Sequence, residues 1–156
     1  MEPIYFSEMF LASEGKSFEY KGRLVSIAGE MPVNDGDRLW VQIERIGSPI
    51  LQGIHIMSRP KGVIECNGVR SKPGKPFGLW ADTMPPGGIE VKMVKGCTTI
   101  RALGTSDRDR VTEWGVMNHG RAVVVETIEN GFRCYCSDCE PDDDLDDLVF
   151  TVTKLC

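Results

Sequence analysis

Three cysteines lie next to an acidic run in the sequence CYCSDCEPDDDLDD, residues 134–147. Thiolates are common zinc ligands, so Cys134, Cys136 and Cys139 could supply three of the four ligands of a structural zinc site. Such a site would need a further ligand from elsewhere in the fold: Cys97, His119 or Cys156. In a β-strand, however, Cys134 and Cys136 would share one face and could pack as small apolar residues. The metal site, a disulfide within the cluster and simple packing all stay open.

The acidic run holds seven carboxylates and no base, at Asp138, Glu140, Asp142, Asp143, Asp144, Asp146 and Asp147. Calcium takes about six to eight oxygen ligands, which makes such a run a candidate calcium loop. The EF-hand pattern fails, because a loop starting at Asp142 would place Asp147 at the glycine position and Thr153 at the final glutamate position. A calcium loop at a sheet edge and a solvated acidic loop that begins near Pro141 remain the alternatives. We predict no cofactor, with zinc or calcium as the alternative.

The charge of the chain is concentrated at this one place. The formal net charge is -5, but without residues 138–147 the chain has 18 bases against 16 acids. A basic patch typical of nucleic-acid binding is therefore not expected. The acidic run favours a cation or the basic surface of a partner protein, whose encounter it would accelerate.

No sequence motif indicates catalysis. The two histidines, His55 and His119, are isolated, and neither has a nucleophile or carboxylate motif beside it. The chain has no G-x-S-x-G, P-loop or G-x-G-x-x-G sequence. We therefore predict that the protein is not an enzyme, although a site assembled only in three dimensions would escape this reasoning.

The tryptophans offer a second kind of binding chemistry. Trp40, Trp80 and Trp114 could stack on a sugar if they lined one face, but tryptophan more often packs in or beside a core. The segment SKPGKPFGLWADTMPPGG, residues 71–88, has four prolines and is expected to be extended and exposed. Trp80 and Asp82 in this segment place an aromatic ring next to polar groups, a composition typical of a binding edge.

The sequence predicts that β-strands position these residues. A chain of 156 residues is the size of one domain, and we assign residues 1–156 to a single β-rich domain. Short apolar segments separated by glycine and proline predict about eight antiparallel strands in a β-sandwich or jelly-roll. Two hairpins are predicted, with turns at Asn67-Gly68 and Asn130-Gly131. In the last strand, Leu148, Phe150 and Val152 are expected to face the core.

The sequence predicts little helix and contains no recognisable targeting signal. A short helix is predicted over residues 4–15. Residues 106–117 form either a second helix, with Ser106 as its possible N-cap, or a loop that leads into a strand. The N-terminus MEPIYFSEMFLASEGKSF has no basic region of the kind that opens a signal peptide. No apolar run approaches the roughly 20 residues that span a bilayer. These features predict a cytoplasmic protein without a membrane partner, with most of its thiols reduced.

The C-terminal half, from about Gly78 to Phe150, resembles a group of small bacterial proteins with a PDDDxDDLVF-type ending. The residues that carry the resemblance are LWADTMPP, IEVKMVKG and CSDCEPDDDLDDLVF. In this group the position of Cys139 need not be cysteine, while the acidic string is kept. The resemblance therefore implies a structural or docking role for the acids rather than a zinc site, and it transfers no catalytic residue.

Two hypotheses about function follow. In the first, the protein is an immunity protein that neutralises a bacterial toxin by covering its active site. Its acidic patch (Asp142, Asp143, Asp144, Asp146 and Asp147) and aromatic loop (Trp80 and Asp82) would dock on a basic protein partner. In the second, it is a calcium- or zinc-dependent β-sandwich that binds a ligand or carbohydrate, with Cys134, Cys136 and Cys139 as the candidate zinc ligands. The sequence does not indicate the oligomeric state.

Overall fold

The computed structural model describes residues 12–14, 16–106, 122–137 and 147–155. Thirteen β-strands lie in these ranges. They are β1 (Phe18–Tyr20), β2 (Arg23–Ser26), β3 (Gly29–Pro32), β4 (Arg38–Ile46), β5 (Gln52–Arg59), β6 (Val63–Cys66), β7 (Val69–Arg70), β8 (Phe77–Trp80), β9 (Ile89–Lys95), β10 (Thr99–Ser106), β11 (Val123–Ile128), β12 (Gly131–Cys136) and β13 (Leu148–Lys154).

The strands form two antiparallel sheets. The larger sheet has the strand order β1-β2-β11-β12-β13-β4-β9-β6-β7, and the smaller sheet has the order β3-β10-β5-β8. All the strand pairs in these ranges are antiparallel. The predicted mainly β, sandwich-like fold is therefore confirmed.

The main core lies between the two sheets, because each sheet turns one apolar face inward. Its fully buried side chains include Leu39, Phe150 and Met93 from the larger sheet and Ile56 and Ile100 from the smaller one. A second, smaller cluster surrounds Val25 and Ala122, where β2 and β11 pair at one end of the larger sheet.

Both hairpins form where the sequence predicts them, and one turn is shifted by a residue. Asn67 and Gly68 have φ values of 51° and 79°, the positive values that a type I′ turn requires at both central positions. In the second hairpin Gly131 already pairs with Ile128. The turn is therefore made by Glu129 and Asn130, with Asn130 at φ 62°.

Strand β13 is more deeply buried than predicted. Leu148, Phe150 and Val152 are fully buried, as expected, but Val149 and Thr151 on the opposite face are only 5% and 7% exposed. Long side chains of β12 and β4 lie opposite both residues, among them Arg133 opposite Thr151. Neighbouring side chains therefore shield both of its faces.

The 71–88 segment is not wholly a loop, because it contains β8, which pairs with β5 at the edge of the smaller sheet. Ser106 is the last residue of β10 and is fully buried. The rest of the 106–117 segment, and the predicted helix over 4–15 apart from residues 12–14, lie outside the described residues. Within the described ranges, no helix has the length and apolar character needed to cross a membrane.

Candidate functional site

The 71–88 segment is held in a defined conformation by its own hydrogen bonds. After β8, the Thr83 and Met84 N–H groups both donate to the carbonyl of Trp80, at 3.0 and 2.9 Å. The Ala81 N–H donates to the Gln52 carbonyl (2.9 Å), which fixes the end of β8 to β5. The segment that the sequence indicates as a binding edge is therefore an ordered turn.

Trp80 is partly buried because it packs across the sheet. It lies opposite Gly53 on β5, and a Cβ added to Gly53 would stand 2.8 Å from Trp80 Cε3. The glycine thus leaves the space that the indole ring fills, an arrangement known to stabilise sheets. The neighbouring Asp82 is exposed, so it is the more accessible of the two predicted contact residues in this segment.

Trp40 also packs against glycine, but on the other sheet. Its Nε1 donates to the carbonyl of Gly87 (3.0 Å), and its ring occupies the position where a Cβ of Gly88 would stand. Trp40 is on β4 of the larger sheet and Trp80 on β8 of the smaller one. The two rings are used for packing rather than for a shared sugar-stacking platform, and Trp114 lies outside the described residues.

An apolar concavity, here called the loop pocket, opens beside this turn. It has a volume of about 330 Å³ and is lined by Cys66, Asn67, Val69, Phe77, Gly78, Leu79, Thr83, Met84 and Ile89. Val69 at its margin is 59% exposed, a high value for an apolar side chain. Burial raises the pKa of the Cys66 thiol, so this cysteine is protonated at neutral pH and is a poor nucleophile. The chemistry of the pocket is therefore that of apolar binding.

A second concavity, here called the lysine groove, lies at the other end of β6 and β9. Its volume is about 550 Å³, and it is lined by Pro60, Lys61, Val63, Pro73, Lys95, Gly96 and Thr98. Val63 and Lys95 are register partners at the start of β6 and the end of β9, whereas Cys66 and Ile89 of the loop pocket are at the opposite strand ends. The 71–88 segment contributes Pro73 to the groove and five residues to the loop pocket.

The walls of the lysine groove are fixed by backbone contacts. The Gly74 N–H donates to the Gly62 carbonyl (2.9 Å), and a Cβ on Gly74 would stand 2.2 Å from the Pro60 carbonyl oxygen. On the opposite wall, the Asp35 carboxylate accepts the Gly96 and Cys97 N–H groups at 3.2 and 2.8 Å. The groove is therefore preformed, as ligand sites usually are.

Cys134 and Cys136 both face the core, as their alternation in β12 predicts. A Cβ on Gly29 would lie 2.8 Å from the Cys134 sulfur, and one on Gly104 would lie 3.1 Å from the Cys136 sulfur. Each thiol thus fills the space above a glycine of the smaller sheet. Burial, together with the neighbouring Cys136, raises the pKa of Cys134 well above its ordinary value, so this thiol is protonated at neutral pH.

The proposed zinc site is left without support in the part of the chain that the structure describes. No group of three histidine, cysteine or acidic side chains there is arranged to hold a metal ion. The Cys97 thiol donates instead to the Val63 carbonyl (3.3 Å). Cys139, His119 and Cys156 lie outside the described residues, so the metal-ligand assignment stays a prediction.

Of the five acids predicted to dock on a partner, one can be placed. Asp142, Asp143, Asp144 and Asp146 lie outside the described residues. Asp147 is only 6% exposed, its N–H donates to the Cys136 carbonyl (3.0 Å), and its own carbonyl accepts the Gly47 N–H (3.0 Å). Asp147 therefore immediately precedes β13, is held by backbone hydrogen bonds, and does not present an exposed carboxylate.

His55 is not placed for acid–base chemistry with its cross-strand neighbours. It is half-buried on β5, opposite Leu103 on β10 and Gly78 on β8. Neither neighbour carries a carboxylate or a thiol. His119 lies outside the described residues.

Comparison with known proteins does not assign the chain to a family. No family model, curated protein or solved structure matches it. The resemblance to small bacterial proteins stays a prediction, and the class that can be stated is a sandwich-like antiparallel β protein.

The sequence interpretation did not identify the lysine groove. Its lining residues are spread between positions 60 and 98 and converge only through the pairing of β6 with β9. The sequence signal at these positions is the repeated lysine, proline and glycine of RPKG and SKPGKP, which by themselves are typical of loops.

Proposed function

We propose that this protein is a binding protein that recognises another protein through the 71–88 segment and the loop pocket. The observation that carries the proposal is the pocket itself, an apolar concavity of about 330 Å³ beside an ordered, exposed turn. A few apolar anchors that enter such pockets supply most of the affinity in many protein interfaces. The pocket would receive one apolar side chain of the partner.

The polar surroundings of the pocket suit a basic partner. Asp82 and Thr83 are exposed at the turn, and Thr83 also lines the pocket. A carboxylate at the rim of an interface mainly affects the rate of association and the choice of partner. A basic residue next to the apolar anchor of the partner would therefore be selected by Asp82.

The finer proposal is that the protein is an immunity protein that neutralises a bacterial toxin. It is supported by the density of acids between residues 138 and 146, whereas Asp147 is buried and adds nothing to an exposed patch. Cys136 and Leu148, which flank that stretch, are register partners on adjacent strands, so the acids are confined to one connection between β12 and β13. A basic, nucleic-acid-cleaving toxin would be attracted by this concentration of charge.

Affinity capture tests whether the loop pocket recognises a partner protein, and co-expression tests whether the protein acts as an immunity protein. The full chain is used to capture the product of a neighbouring toxin gene from its host, and the toxin is then co-expressed with wild-type or variant chain. Thr83→Arg should abolish binding by blocking the pocket, and Asp82→Lys should slow association. Thr127→Arg, at an exposed position on β11, is the matched control and should bind as wild type does. Normal capture by Thr83→Arg would overturn the assignment of the pocket, and a lack of protection in co-expression would overturn the immunity proposal.

The acidic run also favours the second candidate, a calcium-dependent ligand-binding β-sandwich. A ligand that binds only the folded state raises the melting temperature in proportion to the logarithm of its concentration. The second candidate therefore requires a melting temperature that rises with millimolar calcium. An unchanged melting temperature, with no metal found by elemental analysis, removes it.

A further inference from the structure

We propose that the lysine groove is a separate binding site for a small anionic molecule with an apolar body, in chemical terms an alkyl or aryl carboxylate. This site is at the opposite end of β6 and β9 from the loop pocket. Its occupation does not depend on protein recognition through the 71–88 turn.

The shape and surface of the groove determine the body of the ligand. Pro60, Val63 and Pro73 supply apolar wall, and the methylene stems of lysine side chains add to it. The volume of about 550 Å³ is within the range of roughly 300–1,000 Å³ that is usual for small-molecule sites. An extended hydrocarbon or ring system would replace water along this surface.

The charge of the groove determines the head of the ligand. Lys61 and Lys95 both line it, and neither forms an ion pair with any other described residue. Residues 59–75 contain five bases and one acid, and that acid, Glu65, is already paired with Arg70 (3.2 Å). The carboxylate of Asp35 contacts the groove wall, and each of its two oxygens accepts a hydrogen bond from a backbone N–H group. The lysine ammonium groups are therefore available to a carboxylate at the rim.

The rigidity of the walls makes this arrangement a site and not a transient gap. The close approach of Gly74 to Pro60 and the Asp35 contacts to Gly96 and Cys97 hold both sides of the groove. A preformed site spends little binding free energy on ordering its own loops. At the rim, the hydroxyl of Thr98 donates a hydrogen bond to the Arg59 carbonyl (3.2 Å), which orders the wall further.

Calorimetric titration of the full chain with decanoate tests the proposal. Decanol has the same alkyl chain as decanoate but no charge, and acetate has the carboxylate charge but no long alkyl chain. Decanoate should bind at least about tenfold more tightly than either, because it uses both the apolar wall and a charge-assisted contact. Its affinity should also fall as the salt concentration rises.

Variants locate the site. The double variant Lys61→Gln/Lys95→Gln should weaken decanoate binding by about tenfold or more. The double variant Lys16→Gln/Lys92→Gln has the same net charge but alters exposed lysines away from the groove, and it should bind as wild type does. Thr98→Trp should block the groove, and a melting curve identical to that of wild type would show that the variant is folded.

Three results would overturn the proposal. They are equal affinity for decanoate and decanol, equal loss of affinity in the two lysine double variants, and stronger binding of an acidic peptide such as hexaglutamate than of decanoate. The last result would assign the groove to a protein segment. Because the toxin-capture experiment probes Thr83 and Asp82, its failure leaves the decanoate result unaffected, and the reverse also holds.

Discussion

The thiol of Cys134 fills the space above Gly29 that a side chain would otherwise occupy. Gly29 is on β3 of the smaller sheet and Cys134 on β12 of the larger one, so this pair joins the two sheets directly. A Cβ on Gly29 would stand 2.8 Å from the Cys134 sulfur and 2.5 Å from Cε2 of Phe132. The cysteine that first suggested a metal ligand is thus part of the close packing between the sheets.

We expect Gly29→Ala to destabilise the fold. The backbone of Gly29 does not have a positive φ, so alanine is sterically allowed there and the effect comes from overpacking against Cys134 and Phe132. Overpacking of this kind costs about 1–3 kcal/mol of unfolding free energy. Urea unfolding curves, monitored by circular dichroism, measure the decrease in the free energy of unfolding.

Gly104→Ala serves as the graded comparison for that experiment. A Cβ on Gly104 would be 3.0 Å from the Cβ of Cys136, a looser contact than the one at Gly29. The loss of stability should therefore be smaller. Equal losses at the two positions would contradict the packing explanation.

The four buried thiols should be protected from alkylation in the native protein. Cys66, Cys97, Cys134 and Cys136 are all free and buried. Alkylation needs both access and a thiolate, and burial raises the pKa of Cys134 and of Cys66. Iodoacetamide labelling with peptide mass spectrometry should show slow modification of these residues in buffer and rapid modification in urea. Rapid native labelling of Cys134 would show that its strand is open to solvent.

The raised pKa of Cys134 also predicts a pH dependence of stability. The folded state keeps this thiol protonated at pH values where the unfolded chain has lost the proton, above the ordinary value of 9.0. The contribution is therefore fully present below pH 9.0 and is lost as the pH rises toward the folded pKa. Unfolding free energies measured from pH 7 to pH 10 should fall above pH 9 more steeply for wild type than for Cys134→Ala. Parallel curves for the two proteins would count against the prediction.

The sequence predicts local features well and features assembled from distant strands poorly. The Asn67-Gly68 turn is specified by two adjacent residues that tolerate positive φ, and it forms as predicted. The pairing of Trp80 with Gly53 depends on the register of β8 with β5, which neither segment specifies alone. Strand β8 was missed because its proline- and glycine-rich flanks are typical of loops, whereas an edge strand tolerates them.

The residues of the candidate sites also differ in whether adjacent sequence or the pairing of distant strands specifies them. Trp80 and Asp82 were found from composition, because an aromatic residue next to polar groups is visible in the sequence. Asp147 was included with the other acids on charge alone, although Leu148 immediately begins a buried strand. The lysine groove could not be found in this way, since Lys61 and Lys95 come together only when β6 pairs with β9.

Arg133 should couple energetically to Glu44 across an intervening strand. Arg133 is on β12, where it is the register partner of Thr151 on β13, and Glu44 is on β4, so β13 lies between the two residues. Its Nε lies 2.6 Å from Glu44 Oε1, and Nη1 also bonds Glu126 on β11. These hydrogen bonds raise the pKa of Arg133, which means that they stabilise its charged form.

A double-mutant cycle with Arg133→Met and Glu44→Gln measures this coupling. We expect a favourable interaction at low salt that shrinks in 1 M NaCl, because both side chains are partly exposed and salt screens them. The pair Arg38 and Glu90 is the matched control: both side chains are more exposed, Arg38 Nη1 lies 3.2 Å from Glu90 Oε1, and we expect weaker coupling. A coupling energy that is zero, or that does not change with salt, would mean that the contact between Arg133 and Glu44 adds no electrostatic stabilisation across β13.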